Sequence, residues 1–326
     1  MRLVVTGAGG FLGRSLVRAL LERGKLVVDG AEVEITELVA CDLTSPDMAA
    51  DARVRELGGD IAAPGFAATA VTAGTAAVVH LAAVVSGAAE RDFDLGMRVN
   101  LDGTRALLEA CRALETPPRF VFASSVAVYG GALPLVVSES TAPTPLTSYG
   151  IQKSIGELLV SDYTRRGFVD GRVLRLPTIT VRGGAPNAAV TSFASDIIRD
   201  PARGTEAVCP VSPNTKVWVL SPRRGVDAFI RALELPAEAW VEGRIVALPG
   251  AAVTPGEMVE ALREMAGDDT ADRVRWEVDP FIDGIVSSFP VAFDTSYAEE
   301  LGFEADAGAA EIVRYFLEEE DAVSDR

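Results

Sequence analysis

A glycine-rich turn near the start of the chain limits what the chain can fold into. Leu3, Val4 and Val5 form a short apolar run typical of a buried strand, and Gly7-Ala-Gly-Gly-Phe-Leu-Gly13 follows almost at once. Apolar residues then recur at helical spacing as far as Gly24, which predicts a helix that ends at that glycine. A strand, a glycine turn and a helix in succession predict a site where free backbone amides face a phosphate group.

The spacing Gly7-x-x-Gly10-x-x-Gly13 suggests a task for each glycine. Together they permit a sharp turn, a close approach of backbone to a pyrophosphate, and packing of helix on strand. The commoner dinucleotide fingerprint would place glycines at 7, 9 and 12, and position 12 is Leu. A chain with 30 Gly can also use such a turn merely to join a strand to a helix, so later motifs must decide between the two readings.

Charge and cysteine content narrow the function classes. A formal net charge of −17 argues against nucleic acid or anionic membrane as a partner, because both require a basic surface. Cys41, Cys111 and Cys209 are odd in number and far apart, which favours reduced structural thiols over disulfides or a metal site. Neither a signal peptide nor a membrane-spanning run is expected, which predicts a cytoplasmic protein that binds small molecules.

Two segments compete to be the second strand of the sheet. Lys25-Leu-Val-Val-Asp29 and Glu37-Leu-Val-Ala-Cys-Asp42 both end in a carboxylate, the group that binds an adenosine ribose at this point of a dinucleotide fold. Asp29 has the more usual spacing, whereas Asp42 precedes a better strand exit, and Asp42 is preferred. Because no Arg closely follows either acid, NAD is favoured over NADP.

The remaining pattern predicts an α/β fold with a doubly wound parallel sheet, a Rossmann fold, and a smaller C-terminal α/β substrate lobe. The predicted boundaries are 1–178 for the nucleotide-binding domain and 179–326 for the lobe, with strands near 215–248 returning to the main sheet. His80, the single histidine, lies in an apolar run and is expected to be a packed, hydrogen-bonded residue. Further strands are predicted at 76–83, 120–125 and 172–177, and helices at 100–114 and 148–166.

Three motifs in order identify a family. Gly7-x-x-Gly10-x-x-Gly13, Ser124-Ser125-x-x-x-Tyr129-Gly130 and Tyr149-x-x-x-Lys153, with Asp60-Ile61 and His80-Leu-Ala-Ala83 between them, resemble the extended short-chain dehydrogenase/reductases. The resemblance covers nearly the whole chain. It implies NAD as cofactor and a homodimer formed through the helix that contains Tyr149 and the helix before it. Within that family, Ser148-Tyr-Gly-Ile-Gln-Lys153, Arg165-Arg-Gly-Phe-Val-Asp-Gly-Arg172, Arg175-Leu-Pro-Thr178 and the segment 187–199 resemble a group of sugar-acid dehydrogenases, which implies oxidation of an aldonate such as D-erythronate at carbon 2 to the 2-keto acid. Gly183-Gly184 departs from that group, where a proline-glycine pair is expected.

The resemblance also implies roles for individual residues. Ser125, Tyr149 and Lys153 would be catalytic, with Ser125 and Tyr149 in contact with the substrate; no metal is expected. The carboxylate of an aldonate must meet a cation and its hydroxyls need neutral partners, so Arg182 and Asn187 are the candidates for further substrate contacts. The alternative for Arg182 is a salt-bridge residue at a sheet edge. The implied cofactor contacts are Gly7, Gly10, Phe11, Leu12, Gly13, Asp42, Asp60, Ile61, Leu81, Ala82, Ala83, Asn100, Tyr149, Lys153, Pro177 and Thr178.

The chemistry of these residue types agrees with dehydrogenation. A secondary alcohol gives up hydride only if its hydroxyl proton also leaves, so a base must lie within hydrogen-bond reach of the oxygen. Tyr149 can act as that base if Lys153, one helical turn away, and a positive nicotinamide lower its pKa by about three units. A nucleotide-sugar epimerase or dehydratase and a uronate dehydrogenase would share these residues, and a non-catalytic NAD sensor is a third alternative.

Overall fold

The computed structural model of the chain describes residues 1–48, 50–184, 189–240 and 244–324. The strands are β1 (Arg2–Thr6), β2 (Lys25–Val28), β3 (Ala31–Glu34), β4 (Glu37–Asp42), β5 (Val54–Gly58), β6 (Thr75–His80), β7 (Arg119–Ser125), β8 (Asp170–Leu176), β9 (Thr178–Ile179), β10 (Ala207–Cys209), β11 (Val217–Leu220), β12 (Ile245–Ala247), β13 (Ala251–Val253) and β14 (Val274–Trp276). The α-helices are α1 (Phe11–Arg23), α2 (Phe66–Ala70), α3 (Ser86–Arg91), α4 (Phe93–Gly96), α5 (Thr104–Arg112), α6 (Ser148–Arg165), α7 (Phe193–Ala202), α8 (Pro222–Glu234), α9 (Pro255–Ala266), α10 (Asp268–Ala271), α11 (Pro280–Ser287), α12 (Ser296–Glu300) and α13 (Ala309–Ser324). A π-helix, Met97–Gly103, joins α4 to α5.

A parallel sheet forms the centre of the molecule. Within the described residues it has seven strands in the order β12-β8-β7-β6-β1-β4-β5. Each neighbouring pair is parallel. The chain adds strands on one side of β1 and then, from β6 onward, on the other, so the order reverses between β1 and β6. Ligands of such sheets bind at that reversal, beyond the carboxyl ends of the strands.

Helices cover both faces of this sheet, as expected for a doubly wound fold. On one face, Leu16 and Leu20 of α1 pack in the same core cluster as Phe229 of α8. On the other, Leu107 of α5 and Val160 of α6 share a cluster with the opposite side chains of the strands. The predicted α/β class with a Rossmann sheet is confirmed.

The first helix shows how local sequence sets an element. Helix α1 begins directly after the glycine turn and ends at Arg23, because Gly24 adopts the left-handed conformation (φ +69°) and its amide donates to the Leu20 carbonyl. That conformation favours glycine. The stop predicted at Gly24 is therefore confirmed.

The two candidate second strands have different fates. Segment 37–42 pairs with β1 in the main sheet, whereas 25–28 pairs only with β3 in a separate antiparallel hairpin. Asp29 and Gly30, at the tip, both have positive φ, and an Asp-Gly pair favours this tight hairpin turn. The Asp29 carboxylate accepts a hydrogen bond from Arg119 at 2.7 Å, on the strand edge away from the cleft described below.

Beyond residue 178 the chain builds a second group of elements. The expectation that the strands near 215–248 return to the main sheet is correct for β12, which pairs with β8, and wrong for β11. Strand β11 pairs with β9 and β13 in a small separate sheet, since Pro177 has no amide proton and ends the ladder of β8. Helices α7, α9 and α13 cover a core that contains Ile197, Leu262 and Ile312.

Among the described residues, no helix combines the length and the apolar character needed to cross a bilayer.

Candidate active site

A cleft of about 800 Å³ opens beyond the carboxyl ends of the strands, at the reversal of strand order between β1 and β6. It gathers residues from the first strand to the start of the C-terminal elements. The predicted site residues that line it are Gly7, Gly10, Phe11, Leu12, Gly13, Asp42, Asp60, Ile61, Leu81, Ala82, Ala83, Ser125, Tyr149, Lys153, Pro177, Thr178 and Arg182. The fold thus brings together nearly all of the residues that the sequence motifs single out.

The glycine turn forms one end of the cleft, and its geometry requires glycine at two positions. Gly7 has φ +72°, and a Cβ atom there would lie 2.7 Å from the amide nitrogen of Ala82. A Cβ atom on Gly13 would lie 2.1 Å from the carbonyl oxygen of Gly7. The turn and the first turn of α1 therefore pack backbone on backbone, leaving open amides at a helix start that suit a pyrophosphate.

Two carboxylates lie along the same wall as the turn. Asp42 ends β4 and accepts hydrogen bonds from the backbone amides of Gly9, at 2.8 Å, and Leu43, at 2.7 Å. Asp60 accepts from the Ala62 amide at 2.9 Å and forms an ion pair with Arg98. These contacts fix both carboxylates in the lining of the cleft.

Asn100 is the one described cofactor residue of the prediction that does not line the cleft. It lies behind the cleft wall and is buried. Its amide group accepts from the Val84 amide and donates to the Val84 carbonyl and to Gln152 Oε1, at 2.8, 2.9 and 2.7 Å. Asn100 therefore fixes the segment after β6.

His80 is buried and neutral, as expected for a structural residue. The Thr104 hydroxyl donates to the Asn100 carbonyl at 2.6 Å, so it accepts from Nε2–H of His80 at 2.9 Å. This leaves Nδ1 of His80 to accept from the Thr6 hydroxyl at 2.7 Å. Burial lowers the pKa of His80 to about 3. Both ring nitrogens therefore have hydrogen-bond partners. The imidazole links β6 to β1 through Thr6 and to α5 through Thr104.

The predicted catalytic residues meet in the same cleft as the glycine turn. Ser125 is the last residue of β7, and its Oγ accepts from the Ala127 amide at 3.1 Å. Tyr149 and Lys153 lie one turn apart on α6, which begins at the Thr147 cap. The Lys153 ammonium donates to the Ala123 carbonyl at 2.8 Å and lies 5.6 Å from the centre of the Tyr149 ring.

The acidity of Tyr149 differs from the expectation. Desolvation inside the cleft raises the pKa of Tyr149 to about 12, and a hydrogen bond with Ser125 acts in the opposite direction. In the protein by itself the Lys153 ammonium is directed to the Ala123 carbonyl rather than to the phenol oxygen. A lower pKa therefore requires positive charge that arrives with the ligands.

Of the two predicted substrate contacts beyond residue 178, the structure describes only Arg182. Arg182 follows β9 and lines the cleft; its amide donates to the Ser195 hydroxyl at 3.1 Å, and burial lowers its pKa. Asn187 lies outside the described residues. The lining of the cleft therefore includes the guanidinium of Arg182, together with Thr178 and Thr191.

Several lining residues carry no motif and were missed by sequence reasoning. They include Arg98 on the π-helix, Ser86 at the start of α3 and Thr191 before α7. Only the tertiary fold brings them to the cleft. Arg98, for example, pairs with Asp60 across 38 positions of sequence, so no local pattern indicated it. In the parts of the chain that the structure describes, no cluster of three metal-binding side chains is found.

Comparisons with known proteins give the same assignment as the geometry. The family model for the NAD dependent epimerase/dehydratase family matches residues 3–238. The D-erythronate dehydrogenase of Cupriavidus necator is 54% identical over 319 residues, which cover 98% of this chain and 98% of that protein. The D-erythronate dehydrogenase of Haemophilus influenzae is 40% identical over 319 residues, with 98% and 99% covered.

A solved structure agrees in fold along the whole chain. The crystal structure of a nucleoside-diphosphate-sugar epimerase from Agrobacterium tumefaciens superposes with a TM-score of 0.91 at 40% identity, covering 99% of this chain and 95% of that one. The family model spans well over half of the chain, and the two dehydrogenases align along nearly all of it. The chain therefore belongs to the NAD-dependent epimerase/dehydratase family of extended short-chain dehydrogenase/reductases.

Proposed function

We propose that this protein oxidises a sugar acid, an aldonate resembling D-erythronate, at carbon 2 to the 2-keto acid with NAD as the oxidant. The observation that carries the proposal is the meeting of Ser125, Tyr149 and Lys153 in one cleft that also contains the glycine turn and Arg182. The similarity to two proteins named D-erythronate dehydrogenase supports the substrate class.

The glycine turn and the Asp42 carboxylate both support NAD as the cofactor. The Gly7 and Gly13 positions would be blocked by a Cβ atom, as expected where backbone must pack closely beside a pyrophosphate. The Asp42 carboxylate, already held by two amides, is placed to accept from the adenosine ribose and would repel a 2′-phosphate. When bound, NAD supplies the hydride acceptor and the positive charge of its oxidised nicotinamide.

The residues of this chain then provide the proton chemistry. Ser125 donates a hydrogen bond to the oxygen of the reacting alcohol, and the Tyr149 phenolate removes the hydroxyl proton. With NAD bound as the hydride acceptor, the alcohol would become the 2-keto acid and its hydroxyl proton would pass to Tyr149. The Lys153 ammonium would hold the nicotinamide ribose and, together with the ring charge, would favour the phenolate.

The carboxylate of an aldonate must meet a cation inside the cleft. Arg182, which follows β9 and lines the cleft together with Pro177 and Thr178, is the proposed partner of that carboxylate. Guanidinium groups bind carboxylates with two parallel hydrogen bonds, which would orient carbon 2 toward the catalytic residues.

Arg182→Ala is expected to raise the KM for an aldonate by about tenfold or more, since a charged hydrogen bond contributes about 1.5–3 kcal/mol. The KM for NAD is expected to stay within about twofold. Steady-state kinetics with each substrate varied in turn measures both. Equal increases in the two constants would show that Arg182 acts on the cleft as a whole rather than on the substrate.

A second candidate is a nucleotide-sugar epimerase, because the Agrobacterium tumefaciens structure bears that description at 40% identity. NADH formation by the purified protein with a panel of aldonates, uronates and nucleotide sugars separates the two. Turnover confined to four-carbon aldonates is expected. Absence of NADH formation across the panel, combined with epimerised nucleotide sugar, would replace the proposal.

The proposed assembly is a homodimer formed through α6 and the helix before it. Its support in the structure is the outer face of α6, where Ile151 and Leu158, seven residues apart, are 46% and 69% exposed. Two such faces packed together would remove these side chains from water.

A further inference from the structure

A buried chain of polar side chains lies behind the catalytic residues and takes no part in the chemistry described above. The Ser124 hydroxyl donates to Oε1 of Glu157 at 2.5 Å. Arg175 donates to both Glu157 oxygens, at 2.9 and 2.6 Å, and to the Tyr129 hydroxyl at 2.6 Å. Ser124, Glu157 and Arg175 are each no more than 3% exposed. Burying a carboxylate and a guanidinium in this way is costly, and such pairs are weak contributors to stability.

The position of Glu157 in the fold connects it to the catalytic strand. Lys153 and Glu157 lie one turn apart on α6, and both reach the end of β7. Lys153 donates to the Ala123 carbonyl, while Glu157 accepts from the hydroxyl of the next residue, Ser124. Helix α6 thus holds two consecutive residues of β7, immediately before Ser125.

Arg175 fixes the orientation of the Glu157 carboxylate. It lies opposite Ser124 in the parallel pairing of β7 with β8, so the three side chains meet on one face of the sheet. Its two hydrogen bonds leave the carboxylate little freedom to rotate. The link through Tyr129 continues to the Ser138 carbonyl at 3.3 Å.

We propose that Glu157 is a positioning residue for the reaction: it fixes the strand end that presents Ser125 and keeps the neighbouring Lys153 in its charged form. This role rests on the proposed dehydrogenase function, in which Lys153 acts as an ammonium group. Glu157 touches neither substrate nor cofactor, since it does not line the cleft.

The charges around Lys153 agree with this role. Burial lowers the pKa of Lys153 to about 8, and the Glu157 carboxylate opposes that decrease. From β6, His80 faces the ammonium but is neutral; on α6, Tyr149 is a neutral phenol in the protein by itself. From β8, Arg175 adds positive charge that Glu157 offsets. Removing the Glu157 charge would therefore remove the carboxylate that opposes the decrease in the pKa of Lys153.

The titration of Lys153 in Glu157→Gln tests the proposal without any substrate. The chain has only three lysines, Lys25, Lys153 and Lys216, so lysine labelled with ¹³C at Cε gives three signals that Lys→Arg variants at 25 and 216 assign. We expect the Lys153 signal of Glu157→Gln to titrate at a pH lower than in the wild type by about half a unit or more. Titration at the same pH in both proteins would overturn the proposal.

Kinetics supply the second readout. At pH 8, where a pKa lowered from about 8 by half a unit halves the ammonium fraction of Lys153, Glu157→Gln is expected to lose about twofold or more in kcat with an aldonate, while the KM for NAD stays unchanged. The loss should shrink toward pH 6.5, where Lys153 regains its proton. An unchanged kcat would overturn the role, whereas a wild type inactive with every aldonate would refute the proposed function and leave the titration to decide about Glu157.

Two further variants separate positioning from folding. Ser124→Ala keeps the charge and removes only the link to β7, so kcat should fall severalfold with the Lys153 titration unmoved; an unchanged kcat would refute the effect on the strand end. Asp170→Asn is the matched control, because Asp170 pairs with Arg172, another buried arginine of β8, at 2.6 Å. It should lower stability and leave both the titration and the turnover per folded molecule unchanged.

Discussion

Tyr149→Phe is expected to lower kcat for aldonate oxidation by about a thousandfold, which corresponds to about 4 kcal/mol of transition-state stabilisation. In the proposed reaction the phenol oxygen, which hydrogen-bonds with Ser125, removes the hydroxyl proton, and phenylalanine keeps the ring without that oxygen. In the protein by itself the surroundings raise the pKa of Tyr149 to about 12. Positive charge from the bound cofactor lowers that pKa. Wild-type kcat should therefore rise with pH and level off above the pKa of the phenol in the complex. The measurement is initial-rate NADH formation between pH 6 and 10.

Tyr163→Phe is the matched control for this change. Tyr163 lies on the same helix, and its hydroxyl hydrogen-bonds with Glu109 on α5, away from the cleft. Its removal should leave kcat within about twofold, since it supplies no catalytic group. If Tyr149→Phe keeps more than a tenth of the wild-type rate while binding NADH normally, another base performs the proton transfer.

Gly13→Ala is expected to weaken NAD binding by about a hundredfold or more, equal to about 3 kcal/mol. The added methyl carbon would lie 2.1 Å from the Gly7 carbonyl oxygen and 2.8 Å from Ala8 Cα, both of them backbone atoms that cannot turn aside. Helix α1 must therefore move away from the turn, and the amides at its start lose their alignment with the pyrophosphate. Overpacking of this kind also costs about 1–3 kcal/mol of stability. Titration with NADH followed by fluorescence measures the affinity, and urea unfolding confirms that the variant is folded.

Gly284→Ala provides the comparison for Gly13→Ala. Gly284 lies inside α11, and a Cβ atom there meets nothing within 4 Å. Alanine at that position is expected to leave NAD binding unchanged and to stabilise the helix by about 0.5–1 kcal/mol. Equal NAD affinity in the two variants would show that the glycine turn does not bind the pyrophosphate.

Much of the nucleotide-binding half follows from local sequence. The apolar run of β1, the glycine turn and the stop at Gly24 are local signals, and the structure has all three. The cap at Thr254, followed by Pro255 and Glu257, likewise predicts α9, and the structure shows the reciprocal hydrogen bonds of a capping box. Family motifs in the right order then indicated most of the cleft lining.

Other features depend on pairing between distant segments. Whether 25–28 or 37–42 joins β1 is decided by which strand fits the sheet, although the Asp29-Gly30 pair was a usable hairpin signal. The pairing of β11 with β9 depends on Pro177, which ends the hydrogen-bond ladder of β8. The ion pair between Glu157 and Arg175 joins residues 18 positions apart on different elements, and neither has a pattern that distinguishes it from a surface charge.

The passage from β8 to β9 has a consequence for how such enzymes diverge. A single residue, Pro177, separates the last strand residue of the large sheet from the first of the small one. In the proposed reaction the elements before Pro177 would hold the oxidant and those after it the sugar acid, so a single residue of main chain would join the two. Substitutions after residue 178 can then change the side chains offered to the substrate while β7 and α6, which carry Ser125, Tyr149 and Lys153, stay as they are.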